Sequence, residues 1–287
     1  MEARSDLDAD GIRETQHRNW DSAAVGWNDW REFNDRADRH ISERLVELAG
    51  VRPGSSVLDI AAGYGEPALT AARAAGPEGR VVATDISAEM LTFGRERAAA
   101  AGLDNVEFMQ AGAAGLDFPP ASFDAAVSRW GIIFEPDAEA AAARVRGFLK
   151  PGARIAIASW GQPDQVPFLS LPMRTTTQRF GVAPPPPGTP GPLSRPTPEA
   201  LGGLLEGGGF ADVAVEQDEV VFEFDSPAHF TAYVRAIAAP IRAMIEQHAG
   251  VAQEEAWDAI TQAAAAAGGG SGPLRLANVV LLASAAA

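Results

Sequence analysis

The stretch VLDIAAGYGEPAL, residues 57–69, joins a short apolar run to a loop of mostly small residues. Asp59 lies at the end of that run, where a carboxylate beside a core needs a partner to offset its desolvation. The loop from Ala61 to Gly65 carries little side-chain bulk, so a ligand can approach its backbone closely. The stretch therefore predicts a strand that ends at a ligand-binding loop.

Strand and helix patterns alternate on both sides of this loop. The pattern predicts five successive strands, at 56–60, 80–85, 106–111, 122–129 and 153–160, and helices at 67–75, from Ser87 and at 137–149. This alternation predicts an α/β fold, a doubly wound Rossmann-like and mostly parallel seven-stranded sheet with N-terminal and inserted lid helices. Such sheets bind ligands outside the carboxyl ends of their strands. Asp59, Asp85 and Arg129 all fall at such ends.

The rest of the chain is predicted to complete the same domain. We expect an N-terminal helical lid segment at 1–50, a cofactor-binding half at 51–161, and a substrate loop, helical insertions and closing strands at 162–287. Residues 1–15 are expected to be frayed, and a helical pattern runs from Trp20 to Gly50. The proline-rich segment 161–196 is either a surface loop or a lid over the substrate. Further helices are predicted at 197–206, 227–248 and 252–267, and strands at 212–225 and 277–284.

Composition excludes several classes of partner. The net charge of −15 and the pI of about 4.7 disfavour nucleic acid and anionic membranes. The absence of cysteine excludes disulfides and thiolate chemistry. No apolar run reaches the roughly 20 residues of a membrane span, and the acidic start is unlike a signal peptide. We expect a cytoplasmic monomer or homodimer that acts on a small molecule without a metal.

The loop after the first strand and the acid at the end of the second strand together indicate a nucleotide-binding site. Asp85 follows Gly65 by 20 residues at the end of the second strand, which is where an acid binds ribose hydroxyls. A dinucleotide loop needs G-x-G-x-x-G against a pyrophosphate, whereas Asp59 and Glu66 would repel that group. Two acids favour a ligand with an ammonium or sulfonium group. The sequence therefore predicts S-adenosylmethionine.

Four stretches, taken in order, resemble the motifs of class I S-adenosylmethionine-dependent methyltransferases. They are VLDIAAGYGEPAL (57–69), VVATDISAEML (81–91), FDAAVSRWGIIFEPD (123–137) and FLKPGARIAIASW (148–160). The resemblance is greatest to the small-molecule branch that includes quinone-biosynthesis and actinobacterial natural-product methyltransferases. It covers about 18–161 and returns at LLEGGGFADVAV (204–215).

The resemblance implies a set of cofactor contacts. Asp59 would orient the methionine ammonium, with the loop of Ala61, Gly63 and Gly65 along the methionine arm. Asp85 would bind both ribose hydroxyls. The contacts implied near the adenine and the cofactor are those of Ile86, Met90, Gly112, Ala113, Ala114 and Ser128.

Two residues depart from the family pattern. Ala61 stands where the family has glycine, and is tolerable there if its φ is negative. Gly112 stands where the family has the acid that binds the adenine amino group, so we expect that hydrogen bond to be absent or replaced by water. The backbone N–H of Ala113 would still meet the adenine ring, and cofactor affinity would be weakened.

The candidates for catalysis and acceptor binding are fewer. His40 is the favoured base, with Glu135 and Asp137 as acidic alternatives; a solvated histidine and a helix N-cap at Asp137 are the competing interpretations. Trp27, Trp130 and Phe168 are candidate acceptor contacts, with core packing as the alternative for each. Trp20, Trp27 and Trp30 lie close together in sequence, where they would form either core or a lid.

These observations predict methyl transfer by direct displacement to a small acceptor, with O-methylation of a natural product as the favoured form. A general base is required only for a protonated acceptor, so the lack of a catalytic triad is no objection. The alternatives are a protein that binds the cofactor without transferring a methyl group, and an NAD(P)-dependent reductase.

Overall fold

Seven strands form one sheet in the computed structural model, which describes residues 6–186 and 188–287. The strands are β1 (Ser56–Ile60), β2 (Arg80–Asp85), β3 (Val106–Gln110), β4 (Phe123–Arg129), β5 (Leu149–Trp160), β6 (Ala211–Phe224) and β7 (Leu274–Ala286). Their order is β3-β2-β1-β4-β5-β7-β6. The first five are parallel, and β7 is antiparallel to both β5 and β6. The predicted doubly wound α/β fold is confirmed.

Helices cover both faces of the sheet. They are α1 (Asp6–Asp29), α2 (Arg31–Leu48), α3 (Ala68–Ala75), α4 (Ala88–Ala100), α5 (Ala138–Phe148), α6 (Pro167–Phe180), α7 (Pro198–Gly207), α8 (Pro227–Ile237), α9 (Ala239–Ala249) and α10 (Gln253–Gly268). Three begin at a position that the sequence pattern predicts as a helix start, and each of these has a side-chain N-cap. Ser87, Asp137 and Thr197 each accept the backbone N–H three residues later, at 3.1, 2.9 and 3.2 Å.

The core lies on the two faces of the sheet. Strands β1, β2 and β4 are short and almost wholly buried, as is typical of parallel strands covered on both sides. One apolar cluster joins α2 and α3 to α6, α8 and α10, and the other joins α5 and α7 to the opposite face. No helix in the described part of the chain is both long and apolar enough to span a membrane.

The N-terminal region is more ordered in structure than the sequence indicates. Residues 6–15, expected to be frayed, belong to α1; residues 1–5 lie outside the described part. The helix predicted from Trp20 to Gly50 is interrupted at Trp30, whose φ of −94° and ψ of 8° leave the α-helical region. Gly26 lets α1 cross α8 closely, since a Cβ there would lie 2.2 Å from the carbonyl oxygen of Ala236.

Two further boundaries differ from the sequence predictions. The segment 161–196 is not all loop, because α6 occupies 14 of its residues; Pro187 of this segment lies outside the described residues. The single helix predicted at 227–248 is two helices, with Ala238 between them. Pro240 explains the break, because it lacks an N–H for the preceding turn and its ring clashes with it.

Candidate active site

The strand order reverses at β1, which has β2 on one side and β4 on the other. The crevice outside the carboxyl ends of the strands at such a point is the usual ligand site of this architecture. Asp59, Asp85 and Arg129 lie at these ends, as predicted, and the charges of Asp85 and Arg129 both act on Asp59.

Unpartnered polar atoms mark the same edge. Among the described residues, seven buried side-chain nitrogen and oxygen atoms have no hydrogen-bond partner. They are Trp27 Nε1, Asn34 Nδ2, Asp35 Oδ1, Asp59 Oδ1 and Oδ2, Tyr64 Oη and Trp130 Nε1. All belong to α1, α2 or the segments at the carboxyl ends of β1 and β4. Buried polar groups are normally paired, so this concentration indicates a site built for a polar ligand.

Two surface grooves lie elsewhere. One surrounds Gly79 and Arg80, and the other surrounds Gly152 and Arg154, both at the amino-terminal edge of the sheet. Neither is lined by any residue that carries an unpartnered buried atom. The buried polar atoms without a partner therefore lie away from both grooves, at the carboxyl edge of the sheet.

Asp59 is fully buried at the end of β1. Burial raises the pKa of its carboxyl well above the ordinary value, while the positive charge of Arg129 opposes that rise. Neither carboxylate oxygen has a partner with full hydrogen-bond geometry among the described residues, although the backbone N–H of Ala68 is close enough to lower the pKa. A cationic group brought to this position would supply the missing partner and favour the ionised form.

Asp85 is buried at the end of β2 and already oriented. Its carboxylate accepts the N–H groups of Gly63 and Ser87, both at 2.8 Å. Burial raises its pKa to about 6, against the lowering effect of those two N–H groups. Ser87 in turn donates from its hydroxyl to Asp21 of α1 at 2.6 Å. The ribose-binding acid predicted from sequence is thus held between two loops and covered by α1.

The loop after β1 has a left-handed backbone at Ala61, Gly63 and Gly65, with φ of 59°, 53° and 118°. The condition of a negative φ, under which alanine would be tolerated at position 61, is therefore not met. The N–H of Ala62 donates to the carbonyl of Thr84 at 2.8 Å, which holds the chain in this turn. Ala61 therefore has a conformation that L residues other than glycine rarely adopt.

A buried ion pair lies beside Asp59. Arg129 donates to Asp38 of α2 at 2.7 Å and to the hydroxyl of Ser42 at 3.1 Å. Burial raises the pKa of Asp38 to about 6, with Arg129 opposing the shift. The phenol of Tyr64 is also buried, and burial raises its pKa.

Aromatic side chains form the walls around these charges. Trp130 stacks on Trp160 with ring centroids 4.4 Å apart and an interplanar angle of 6°. Trp27 stacks on Tyr64 at 6.2 Å. Both Trp27 and Trp130 carry an indole N–H that has no partner among the described residues, so each keeps a free hydrogen-bond donor. Trp130 also has a left-handed backbone, with φ of 57°.

Other candidate residues lie in less suitable positions. His40 lies on α2 two residues after Asp38, about 200° around the helix from it. Its side chain is 45% exposed. The ring nitrogen Nε2 lies 3.1 Å from the carbonyl oxygen of Glu219 on β6. The structure therefore does not bring the predicted base to the site. Phe168 is a core residue packed on Trp160 and Phe222, which corrects its assignment as an acceptor contact.

Ser128 is committed to the backbone rather than to a ligand. Its buried hydroxyl donates to the carbonyl of Ile60 at 2.8 Å and accepts the N–H of Ile132 at 3.0 Å. The two bonds tie the end of β4 to the end of β1. Its predicted contact with the cofactor through this side chain is not supported.

The remaining predicted contacts line one side of the crevice. Met90 is buried against Tyr64 and Trp27, and Ile86 follows Asp85 directly. Gly112, Ala113 and Ala114 form the loop after β3, next to the end of β2.

Sequence analysis missed two polar residues on α2. Asn34 accepts the hydroxyl of Tyr233 at 2.9 Å, and Asp38 pairs with Arg129. The available signal is that Asn34, Asp38 and Ser42 recur every four residues, on the face that also carries Ile41 and Leu45. Polar side chains on the apolar face of a helix need buried partners.

Comparison with known proteins agrees with this picture. The ubiE/COQ5 methyltransferase family matches residues 36–177, just under half of the chain. A protein of Teredinibacter turnerae named as a ubiquinone/menaquinone biosynthesis C-methyltransferase is 41% identical over 120 residues, 42% of this chain and 48% of that protein. One of the same name from Hahella chejuensis is 40% identical over 146 residues, 50% and 59% of the two chains. The chain thus spans about half the length of these relatives.

Solved structures share the fold at low identity. The YcgJ protein of Bacillus subtilis superposes with a TM-score of 0.52 at 18% identity, over 86% of this chain and 98% of that one. The [4+2]-cyclase SpnF gives 0.55 at 18% identity, over 87% and 81%. The match over residues 36–177 and these relatives support a class I S-adenosylmethionine-dependent methyltransferase.

S-adenosylmethionine is the cofactor of this class, and most of the residues present fit it. The unpartnered carboxylate of Asp59 suits an ammonium group, and Asp85 is oriented for a diol. A Cβ at Gly63 would meet no atom within 4 Å, so the loop leaves open space there. In the described residues, no group of three or more His, Cys, Asp or Glu side chains is arranged to hold a metal.

Proposed function

We propose that this protein transfers a methyl group from S-adenosylmethionine to a carbon of a small hydroxylated aromatic acceptor. The observation that carries the proposal is the set of unpartnered buried polar atoms at the carboxyl ends of β1 and β4, between aromatic walls. The relatives' names supply the choice of carbon over the oxygen expected from sequence. The names belong to those proteins, and their extension to this chain is part of the proposal.

Different residues would bind the cofactor and the acceptor. Asp59 would hold the ammonium of the cofactor, and Asp85 the ribose hydroxyls. The bound cofactor supplies an electrophilic methyl group on a sulfonium. The walls of Trp27 and Trp130 would place a flat acceptor beside it, since much of the catalysis in a displacement comes from holding the nucleophile in line.

Asp38 is the proposed proton acceptor in place of His40. It is buried, lies at the carboxyl edge of the sheet and is held through one oxygen by Arg129 at 2.7 Å. With its pKa raised to about 6, it would be ionised at neutral pH and able to take a proton from an acceptor hydroxyl or ring carbon. Arg129 would then stabilise the negative charge that develops on the acceptor.

Two assays test the proposal in sequence. Thermal unfolding is measured with S-adenosylhomocysteine, S-adenosylmethionine and NADPH. At 100 times Kd a ligand adds about 2.7 kcal/mol to the free energy of unfolding, which raises Tm by roughly 5 °C or more in a chain of this length. A rise with the adenosyl compounds alone is expected. A rise with NADPH alone would favour the reductase alternative.

The second assay uses S-adenosylmethionine with a 13C-labelled methyl group and a panel of phenols and dihydroxybenzenes. Carbon NMR separates aryl-methyl from methoxy products, so it distinguishes carbon from oxygen transfer. The control is Asp85→Asn, which alters the proposed ribose contact of the cofactor and leaves the acceptor walls intact. Product formation in this variant should therefore fall. Cofactor binding without any methylated product would favour a binding protein over an enzyme.

A further inference from the structure

Glu135 joins the loop after β4 to the loop after β3. Its Oε1 lies 3.4 Å from the backbone nitrogen of Ala114. The same oxygen is 3.7 Å from the position that a Cβ on Gly112 would occupy. The side chain is only 11% exposed. A carboxylate from the loop after β4 therefore stands beside Gly112, which has no side chain.

Gly112 is constrained from its other side as well. A Cβ there would lie 3.0 Å from Cγ2 of Ile86, which is closer than most real contacts. A side chain at this position would require Ile86 to shift. The local packing thus favours glycine at 112 and leaves the adjacent space to the carboxylate of Glu135.

The positions of β2 and β3 indicate which part of a bound nucleotide would reach the carboxylate of Glu135. Asp85 ends β2 and β3 lies directly beyond β2 in the sheet. A nucleoside held by its ribose at Asp85 would extend its base toward Ile86 and the loop of Gly112 and Ala113. The edge of that base would then face Glu135. An ionised carboxylate only accepts hydrogen bonds, so it would select a base edge that donates one.

Helix α1 fixes the position of Glu135. Nε of Arg13 lies 3.3 Å from Oε2 of Glu135, and the side-chain amide of Gln16 donates to the carbonyl of Phe134 at 2.8 Å. These bonds occupy one carboxylate oxygen with a cation and leave lone pairs on the other. Glu135 is therefore both held in place and able to accept a further bond.

We infer that Glu135 accepts a hydrogen bond from the exocyclic amino group of the bound adenine and so distinguishes adenine from hypoxanthine. The inference rests on the proposed binding of an adenosyl cofactor. It assigns to a residue of the β4 loop the contact that Gly112 cannot make, and it replaces the sequence expectation of an absent or water-filled contact.

The test compares binding of S-adenosylhomocysteine with binding of S-inosylhomocysteine, in which the amino group is a carbonyl, by isothermal titration calorimetry. The intact protein is expected to prefer the adenosyl compound by about tenfold or more, because a hydrogen bond to a charged group is lost with the other ligand. In Glu135→Gln the amide can rotate to donate to the carbonyl, so the preference should shrink by about tenfold. Glu139→Gln, which removes a carboxylate paired with Arg195 at 2.7 Å, should keep the full preference.

The possible failures are separable. An unchanged preference in Glu135→Gln would overturn the assignment of Glu135 while leaving the proposed function intact. If the intact protein binds neither compound, the proposed function fails instead. A third ligand, S-adenosylhomocysteine dimethylated on the amino group, covers the case in which Glu135→Gln does not fold. Binding of that ligand to the intact protein as tight as that of the parent compound would also overturn the assignment.

Discussion

The guanidinium of Arg129 lies 2.7 Å from the carboxylate of Asp38, with side chains only 5% and 4% exposed. A second ion pair, Lys150 with Asp124, has the same separation of 2.7 Å but side chains that are 47% and 37% exposed. The two pairs differ mainly in burial, so they allow the effect of desolvation to be measured within one protein.

Arg129→Met should lower the free energy of unfolding by about 3–5 kcal/mol at pH 8, because it leaves the carboxylate of Asp38 buried without its cation. Lys150→Met should cost less than about 1 kcal/mol, since solvent screens the exposed pair. Denaturation in urea, followed by tryptophan fluorescence, gives both values. Similar losses in the two variants would contradict the assigned difference.

The loss in Arg129→Met should also depend on pH. Arg129 lowers the pKa of Asp38, which burial raises to about 6; without Arg129 that pKa rises further. A carboxyl with a folded pKa above its unfolded value favours folding at low pH, and this stability is lost as pH rises through the folded pKa. The deficit of the variant should therefore be smaller at pH 5.5 than at pH 8. A deficit that is constant over this range would exclude Asp38 as the unpaired group.

Asp59→Asn should stabilise the free protein and lower its affinity for the cofactor. At pH 8 the variant should gain about 1 kcal/mol or more, because it removes a buried carboxylate that has no hydrogen-bond partner among the described residues. Affinity for S-adenosylhomocysteine should fall by about tenfold or more, since the ammonium loses its counter-charge. Chemical denaturation and calorimetry measure the two effects. A variant that is less stable and binds as tightly would show that Asp59 has a structural role only.

The sequence predicts the sheet well because its signals are local. Short apolar runs bounded by glycine and acids place β1 and β2 at their observed bounds, and Ser87, Asp137 and Thr197 cap the helices that they precede. Where a tertiary contact decides, sequence reasoning fails. The break at Trp30 separates two segments of one helical pattern, and Trp30 packs on Phe33 and on Tyr233, 203 residues away along the chain.

The candidate site shows the same division. Asp59 and Asp85 follow strand ends that the pattern predicts. Asp38 belongs to a helix, and its partner Arg129 is 91 residues further along the chain, so its role becomes visible only when α2 is placed against β4. Glu135 was noted from sequence as a possible base, but its proximity to Gly112 depends on the packing of two loops.

Cofactor binding should release protons. Burial raises the pKa of Asp59 well above its ordinary value, and a bound ammonium would favour the ionised carboxylate. Affinity for S-adenosylhomocysteine should therefore increase with pH. Calorimetry at pH 7 in two buffers of different ionisation enthalpy should give different observed enthalpies. Asp59→Asn should reduce that difference, and proton uptake by the intact protein would contradict the assignment.

Gly131 is the residue whose substitution should disturb the site most directly through packing. A Cβ at this position would lie 2.4 Å from Cβ of Ala61 and 2.8 Å from the carbonyl oxygen of Ile60. Gly131→Ala should therefore lower the free energy of unfolding by about 2–3 kcal/mol, the cost of overpacking a close contact. Gly147→Ala is the matched control, because a Cβ there meets no atom within 4 Å and Gly147 lies inside α5. It should be neutral or stabilising by up to about 1 kcal/mol.

Ala61→Gly completes a double-mutant cycle with Gly131→Ala. Alone it should change stability by less than about 1 kcal/mol, because relief of the left-handed backbone at Ala61 is offset by the entropy of an added glycine. Combined with Gly131→Ala it should restore about 1 kcal/mol, since one of the two close contacts is removed while the carbonyl of Ile60 remains. Urea denaturation of the four proteins gives the coupling energy. A coupling near zero would mean that Ala61 and Gly131 do not limit each other, and that the loop after β1 can move away from β4.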